Sequence, residues 1–142
     1  MTAAETGLLL LCCALPGEEK PLSLPQFQEL GRRARALGCR GDDPLRELTA
    51  RDLARLGYDA AQSARITRLL AREAQLEQYL RAAAAQGITA VTRLSSQYPA
   101  RLRHTLGPRC PAVLFAKGEA ELLSARCISV VGSRELSGEG RA

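Results

Sequence analysis

The spacing of apolar residues changes once along the chain, near Gly87. Before that point, leucines and alanines recur every three or four residues, which places them on one face of an amphipathic helix. After it, short apolar runs rich in β-branched residues stand between turn residues, a pattern typical of strands. The pattern therefore predicts an α+β protein, with a small all-helical domain over residues 1–87 and a domain of different build over residues 88–142.

Four helices are predicted in the first domain from their start and stop signals. Ser23, Thr49 and Asp59 are side chains that can accept hydrogen bonds from the first turn of a helix, and Gly38 and Gly57 are suited to end one. In chain order, the predicted helices span about Ala3 to Ala14, Ser23 to Gly38, Thr49 to Gly57 and Asp59 to Gln86. The last is the longest and is expected to run without a break. The arrangement favours a SAM-like helical domain that contains a helical hairpin.

The hairpin around Gly57 has two interpretations. A helix, a tight glycine turn and a second helix can present backbone N–H groups to a phosphate. Such a DNA-binding hairpin usually has a second glycine two positions later, where this chain has Asp59, whose charge repels phosphate. A hairpin that only packs is therefore favoured, with a nucleic-acid contact as the alternative. The arginines at positions 65, 68 and 72 are likewise expected to lie on a solvated helix face rather than on DNA.

The second domain alternates short strands with short helices. The strands are predicted at Ile88 to Thr92, Val113 to Ala116 and from Cys127, with helical turns at Pro99 to Leu106 and Glu119 to Ser124. The third strand runs directly into Gly132-Ser133-Arg134, which is how an α/β fold begins a phosphate-binding turn.

Each residue of this Gly-Ser-Arg turn has a chemical role in such a site. Gly132 permits close approach of the backbone, Ser133 offers a hydroxyl, and Arg134 offers a forked cation. The alternative is that Arg134 is a surface residue after an edge strand. A doubly wound sheet needs several further βα units, so residues 88–142 are expected to be the truncated start of a Rossmann-like domain.

Charge adds a candidate binding surface to this picture. The chain carries a formal charge of +5, of which residues 1–87 contribute +1 and residues 88–142 contribute +4. No acidic residue occurs between Ile88 and Gly118, and that stretch holds five cations and the single histidine: Arg93, Arg101, Arg103, His104, Arg109 and Lys117. This distribution predicts contact with a polyanion such as nucleic acid. Arg101, Arg103 and Lys117 are its candidate phosphate-binding residues.

Cysteine and histidine usage disfavours metal and catalytic chemistry. Five cysteines without Cys-x-x-Cys spacing and one histidine do not make up a structural zinc site, so buried free thiols are expected. His104 has no nucleophile at recognisable spacing, so no catalytic residue, metal or cofactor is predicted. The run Leu8 to Leu15 is too short to span a bilayer and lacks a preceding cation, which favours a cytoplasmic protein with a buried first helix and no membrane contact.

An ordered series of residues in the second domain resembles the DNA-processing protein A (DprA/Smf) family. The series consists of a Tyr-Pro pair and a nearby leucine, a proline before a Val-Leu-Phe strand that ends in glycine, and the Val-Gly-Ser-Arg turn. The matching positions are Tyr98, Pro99, Leu102, Pro111, Val113, Leu114, Phe115, Gly118, Val131, Gly132, Ser133, Arg134 and Gly140. The helical domain is similar to that family only in its arrangement.

The resemblance implies a non-catalytic protein that binds and protects single-stranded DNA during natural transformation and delivers it to the RecA recombinase. In that family the Gly-Ser-Arg turn belongs to a basic pocket for DNA phosphates, a role carried over here to Gly132, Ser133 and Arg134. A homodimer of the full-length form is also implied. Two alternatives stay open: a fragment of a Rossmann-like enzyme that processes nucleoside monophosphates, and a helical protein-interaction module.

Overall fold

The computed structural model describes residues 1–17, 19–36, 38, 45 and 48–126. Within these residues, five α-helices precede an antiparallel pair of strands, and a sixth helix lies between the two strands in the sequence. The elements are α1 (Ala3–Cys12), α2 (Leu24–Ala36), α3 (Ala50–Arg55), α4 (Ala60–Leu70), α5 (Glu73–Ala85), β1 (Ile88–Thr92), α6 (Ala100–Leu106) and β2 (Val113–Lys117), with 3₁₀ turns at Gly107–Arg109 and Ala120–Ser124. The predicted α+β class and the predicted order of elements are confirmed over this part of the chain.

Helix α1 is the centre of the helical part. Its four consecutive leucines, Leu8 to Leu11, are each at most 1% exposed. Consecutive helical residues point in directions about 100° apart, so four buried in a row must be surrounded on every side. Helices α2, α4 and α5 and strand β1 all contact α1. The prediction of a buried first helix is confirmed.

The predicted N-caps are confirmed in detail. The backbone N–H of Asp52 donates to the Thr49 hydroxyl at 3.2 Å, and the Asp52 carboxylate in turn accepts from the Thr49 backbone N–H. The same reciprocal arrangement joins Asp59 to Gln62 at the start of α4. Such capping boxes satisfy the free N–H groups of a first turn, and losing one typically costs about 1 kcal/mol. The Asp59 carboxylate thus caps its own helix, as the packing interpretation of the Gly57 hairpin expects.

The prediction of an uninterrupted helix from Asp59 to Gln86 is wrong, because the helix is interrupted between α4 and α5 at Ala71 and Arg72. Arg72 has backbone angles of φ −93° and ψ 32°, outside the helical region. Its guanidinium donates to the backbone oxygens of Leu10 and Cys13, each at 2.7 Å. Those oxygens lie at the C-terminal end of α1, where helix carbonyls lack partners within the helix. The break therefore lets one side chain cap another helix.

The same break divides the core of the helical part into two clusters. Ile66 and Leu69 of α4 pack in the cluster that also contains Leu11, Leu30 and Leu53. Leu76 of α5 instead packs with Leu9, Leu10, Cys13 and Leu15. A straight helix of that length would direct one stripe at one side of α1, whereas the two halves cover two sides of it.

The arginines at positions 65 and 68 also bind the segment that links α1 to α2. Arg65 donates to the Lys20 and Pro21 backbone oxygens at 2.8 and 2.9 Å, and Arg68 pairs with Glu19. The solvated helix face expected for these two arginines is instead partly occupied by this linker, and Arg72 lies beyond the end of α4. Their guanidinium groups serve the fold.

The thiols of Cys12 and Cys13 test the burial of α1. Burial raises the pKa of Cys12 to about 12 and also raises the pKa of Cys13. Because only the thiolate is nucleophilic, an increase from 9 to about 12 lowers the reactive fraction of Cys12 roughly 1000-fold. We expect both thiols to resist iodoacetamide at pH 8 until urea unfolds the chain, as measured by mass spectrometry of the peptide that contains them. Rapid labelling without urea would contradict the packing of α1.

Strands β1 and β2 pair antiparallel, with Thr92 opposite Val113 and Ile88 opposite Lys117. Side-chain contacts of both strands connect this pair to the helical part. Val113 packs against the α1–α5 cluster, the rings of Tyr79 and Phe115 meet edge to face at 5.6 Å, and the Thr92 hydroxyl donates to the Glu5 carboxylate at 3.0 Å. Both predicted strands are confirmed, with β2 one residue longer than expected.

The third predicted strand, which starts at Cys127, lies outside the described residues. So does the Gly-Ser-Arg turn, Gly132 to Arg134. The Rossmann-like character of residues 88–142 therefore stays a prediction. Along the described part of the chain, no helix combines the length and apolar character needed to cross a membrane.

Candidate nucleic-acid interface

Helix α6 presents one apolar and one basic face. Leu102 and Leu106, four residues apart, pack against a small buried cluster of Val91, Tyr98 and Cys110. Arg101 and His104, three residues apart, are exposed on the rest of the helix surface. Pro99 precedes the helix at its N-cap. Packing of the leucines thus fixes which side chains α6 offers to solvent.

Tyr98 connects the two ends of this segment. Its side chain is 3% exposed, and its hydroxyl donates to the Pro111 backbone oxygen at 2.7 Å while lying 2.9 Å from the Cys110 sulfur. Burial raises the pKa of the phenol, so it stays protonated as a donor. The loop before α6 is thereby tied to the residues that lead into β2. Reasoning from the sequence missed this role, for which the Tyr-Pro pair was the available signal.

Arg103 is held within the structure, unlike the other candidate phosphate-binding residues. It donates to the Arg93 backbone oxygen at 2.9 Å, and its guanidinium carbon lies 5.6 Å from the centre of the Tyr98 ring. Arg93 in turn donates to the Gly107 backbone oxygen at 3.0 Å. The Nε of Arg103 is buried and has no hydrogen-bond partner among the described residues. Arg103 therefore links α6 to residues 93–98 and retains N–H groups that can donate hydrogen bonds to a ligand.

Arg101 and Lys117 are exposed cations that do not stabilise the described part of the structure through polar contacts. Neither forms a hydrogen bond or an ion pair with another residue of the described ranges. The same holds for His104, Arg109 and Arg126. We call these five exposed residues, all between positions 101 and 126, the basic surface.

The basic surface contrasts with four arginines of the helical part that have carboxylate partners. Arg32 and Arg33 pair with Glu29, Arg68 with Glu19, and Arg81 with Glu77. A cation that already has a carboxylate partner must give it up to bind a phosphate, whereas those of the basic surface need not. The surface is suited to a polyanion that is read through its backbone charge.

The Gly57 hairpin shows the opposite use of its polar groups. Arg33 donates to the Leu56 backbone oxygen at 3.1 Å and stacks over the Tyr58 ring, 4.9 Å from its centre. With Asp59 capping α4, the hydrogen-bonding groups of the turn have partners within the protein.

Within the described ranges, no group of three or more His, Cys, Asp or Glu side chains is placed to hold a metal ion.

Comparison with known proteins identifies the second part of the chain. Residues 89–142 match the family model of the DNA recombination-mediator protein A, a match that begins in β1 and includes α6, β2 and the predicted Gly-Ser-Arg turn. No curated protein and no solved structure matches the chain significantly. The family acts in DNA processing and recombination, so DNA and the recombination machinery are its partners in general. Residues 89–142 are thus similar to the DNA recombination-mediator protein A family.

Proposed function

We propose that the chain binds single-stranded DNA without catalysis and delivers it to the RecA recombinase. The observation that carries this proposal is the basic surface, five exposed cationic or titratable side chains free of ion pairs with described residues and located inside the family match. The Gly132-Ser133-Arg134 turn completes the proposed phosphate contacts. Dimerisation of the full-length form, as the family resemblance implies, belongs to the same proposal.

The chemistry of the basic surface supports backbone recognition rather than base recognition. Its arginines can form charge-assisted hydrogen bonds to the phosphate groups, which occur once per nucleotide whatever the sequence. Binding of this kind releases counterions, so affinity falls steeply as salt rises. The proposed activity is therefore largely independent of sequence and strongly dependent on salt.

Fluorescence anisotropy with a labelled oligonucleotide tests the DNA-binding part. The chain is titrated against a single strand and against a duplex of the same sequence, each over a salt series. We expect a preference for the single strand and a linear fall of log K with log salt. Equal binding to the duplex, or affinity that does not change with salt, would contradict the proposal. Hydrolysis of a nucleoside monophosphate by the same sample would favour the enzyme alternative.

RecA delivery is tested separately. RecA hydrolyses ATP when it assembles on a single strand, and coating the strand with a single-strand-binding protein slows that assembly. The slow assembly is seen as a lag before ATP hydrolysis reaches its steady rate. We expect addition of the chain to shorten this lag. An unchanged lag at concentrations that saturate the DNA would remove RecA delivery from the proposal and leave DNA binding intact.

Replacement of Arg134 tests the Gly-Ser-Arg turn. We expect Arg134→Ala to weaken binding of the single strand by about 1 to 3 kcal/mol, the scale of a charge-assisted phosphate contact. Arg81→Ala is the matched control, because Arg81 is an exposed arginine paired with Glu77 on α5. Anisotropy at low salt measures both. Equal affinities of the two variants would exclude Arg134 from the phosphate contacts.

A further inference from the structure

A cleft separates the helical part from the segment that carries the basic surface. It has a volume of about 260 Å³ and lies between helices α1 and α2 on one side and residues 93–103 on the other. Leu8, Leu24 and Phe27 form its helical wall, and Arg93, Leu94 and Arg103 form the opposite wall. The cleft thus combines an apolar, partly aromatic wall with two guanidinium groups.

We propose that this cleft binds one nucleotide of single-stranded DNA, with the base against Phe27 and its phosphate at Arg93 and Arg103. The inference rests on the proposed function, and it deepens that function by assigning part of the DNA contact to the helical domain. It also assigns base contact, which the basic surface alone does not provide.

The apolar wall is suited to a flat, uncharged ring. Leu8 and Leu24 are buried and form the floor, and Phe27 is half-buried beside them. Leu94 stands at the rim and is 53% exposed. Aromatic side chains act as stacking platforms for unpaired bases, and covering Leu94 would remove apolar surface from water. Both features favour occupation by a planar ring.

The two arginines provide the complementary site for an anion. Each holds its position through a hydrogen bond to a backbone oxygen, Arg93 to Gly107 and Arg103 to Arg93. Their remaining N–H groups have no acceptor among the described residues, and Nε of Arg103 is a buried donor without a partner there. Buried donors almost always have an acceptor, and a phosphate oxygen in the cleft would supply one. Of the described residues that line the cleft, none is acidic.

Continuity with the basic surface favours a nucleotide over other anions with an apolar group. Arg101 and His104 are exposed on α6, the helix that also contributes Arg103 to the cleft. A strand that follows α6 through its phosphates can therefore direct one base into the cleft. Gln28, at the rim, offers an amide that can donate to and accept from a base edge. A duplex keeps its bases stacked inside, so this geometry selects single strands.

A tryptophan at the rim reports occupation of the cleft directly. The chain contains no tryptophan, so Leu94→Trp introduces a single fluorophore. We expect a single-stranded oligonucleotide to quench its emission at the concentrations that saturate anisotropy, and an abasic oligonucleotide of equal length to leave it unquenched. The matched control is Ala84→Trp on the exposed surface of α5, which should stay unquenched with both.

The two readouts distinguish the failure of each proposal. Saturating anisotropy without quenching of Leu94→Trp would overturn the cleft inference and leave DNA binding intact. No anisotropy change with any oligonucleotide would overturn the proposed function, and the cleft inference with it. Quenching of Ala84→Trp to the same extent would show non-specific contact and likewise overturn the cleft assignment.

A second variant pair tests the stacking wall. Phe27→Leu keeps the apolar contact with the helical core but removes the aromatic ring, whereas Phe115→Leu removes a ring that is 40% exposed on β2, outside the cleft. We expect Phe27→Leu to weaken binding of the single strand by roughly 5-fold or more, with an unchanged thermal unfolding midpoint. Phe115→Leu should leave affinity unchanged. Equal affinities of both variants would overturn the role of Phe27.

Discussion

Arg72→Met is expected to lower the free energy of unfolding by about 3 kcal/mol, because two backbone oxygens lose a charged hydrogen-bond donor. The guanidinium of Arg72 makes short hydrogen bonds to the backbone oxygens of Leu10 and Cys13. Arg72 is half-buried, and this burial lowers the pKa of its guanidinium. Without it, two carbonyls at the end of α1 lose their partner in a partly buried site. Urea unfolding followed by circular dichroism measures the loss.

The matched control for Arg72 is Arg81→Met on α5. Arg81 is exposed and makes one long contact with Glu77, at 3.4 Å, and such surface pairs contribute between 0 and about 1 kcal/mol. Arg72→Lys should recover only part of the loss, because an ammonium is a point donor and not a planar fork. Equal stabilities of Arg72→Met and Arg81→Met would contradict the capping of α1 by Arg72.

Neutralising three residues of the basic surface together should weaken binding of a single strand about 100-fold at 0.1 M salt. The variant is Arg101→Gln, Arg109→Gln and Lys117→Gln. Each phosphate contact contributes roughly 0.7 to the slope of log K against log salt for single strands, so three contacts contribute about 2. At 1 M salt these contacts contribute little to the affinity. Over the tenfold decrease to 0.1 M salt, a slope of about 2 corresponds to a 100-fold gain in affinity, which the variant loses. Anisotropy over a salt series measures the affinity and the slope together.

The control for this variant removes the same charge from the helical part. It carries Arg35→Gln, Arg51→Gln and Arg55→Gln, all at exposed positions on α2 and α3. We expect it to keep the slope of the unmodified chain. If the control loses as much affinity as the test variant, DNA runs across the Gly57 hairpin and the alternative interpretation of that hairpin is correct. If neither changes, the basic surface does not bind DNA.

Local signals in the sequence predicted most of the helix starts. Ser23, Thr49 and Asp59 each act on N–H groups within three or four residues, and each is found where it was expected. The strands at Ile88 and Val113 were similarly visible from β-branched runs between turn residues. Interactions of this range depend on near neighbours in the chain, so a pattern read along it suffices.

Contacts between distant residues escaped the same reasoning. At the break before α5, Arg72 donates to backbone oxygens some 60 positions earlier in the chain, and neither glycine nor proline marks this position. Arg65 and Arg68 are predicted to lie in solvent and instead bind the linker after α1. A helical repeat continues through residue 71, so periodicity carries no information about this bend.

For the candidate DNA contacts, the sequence alone determined the charge and the resemblance to the family over residues 89–142. The absence of acidic residues from Ile88 to Gly118 and the ordered motif through Gly132-Ser133-Arg134 are properties of the chain that need no coordinates. Only the tertiary structure decided how the cations are used. Packing of Leu102 and Leu106 leaves Arg101 free, whereas the carbonyl of Arg93 and the ring of Tyr98 hold Arg103 beside a cleft formed with Phe27. Charge is a sum over residues, but a binding site depends on which side chains other contacts have already immobilised.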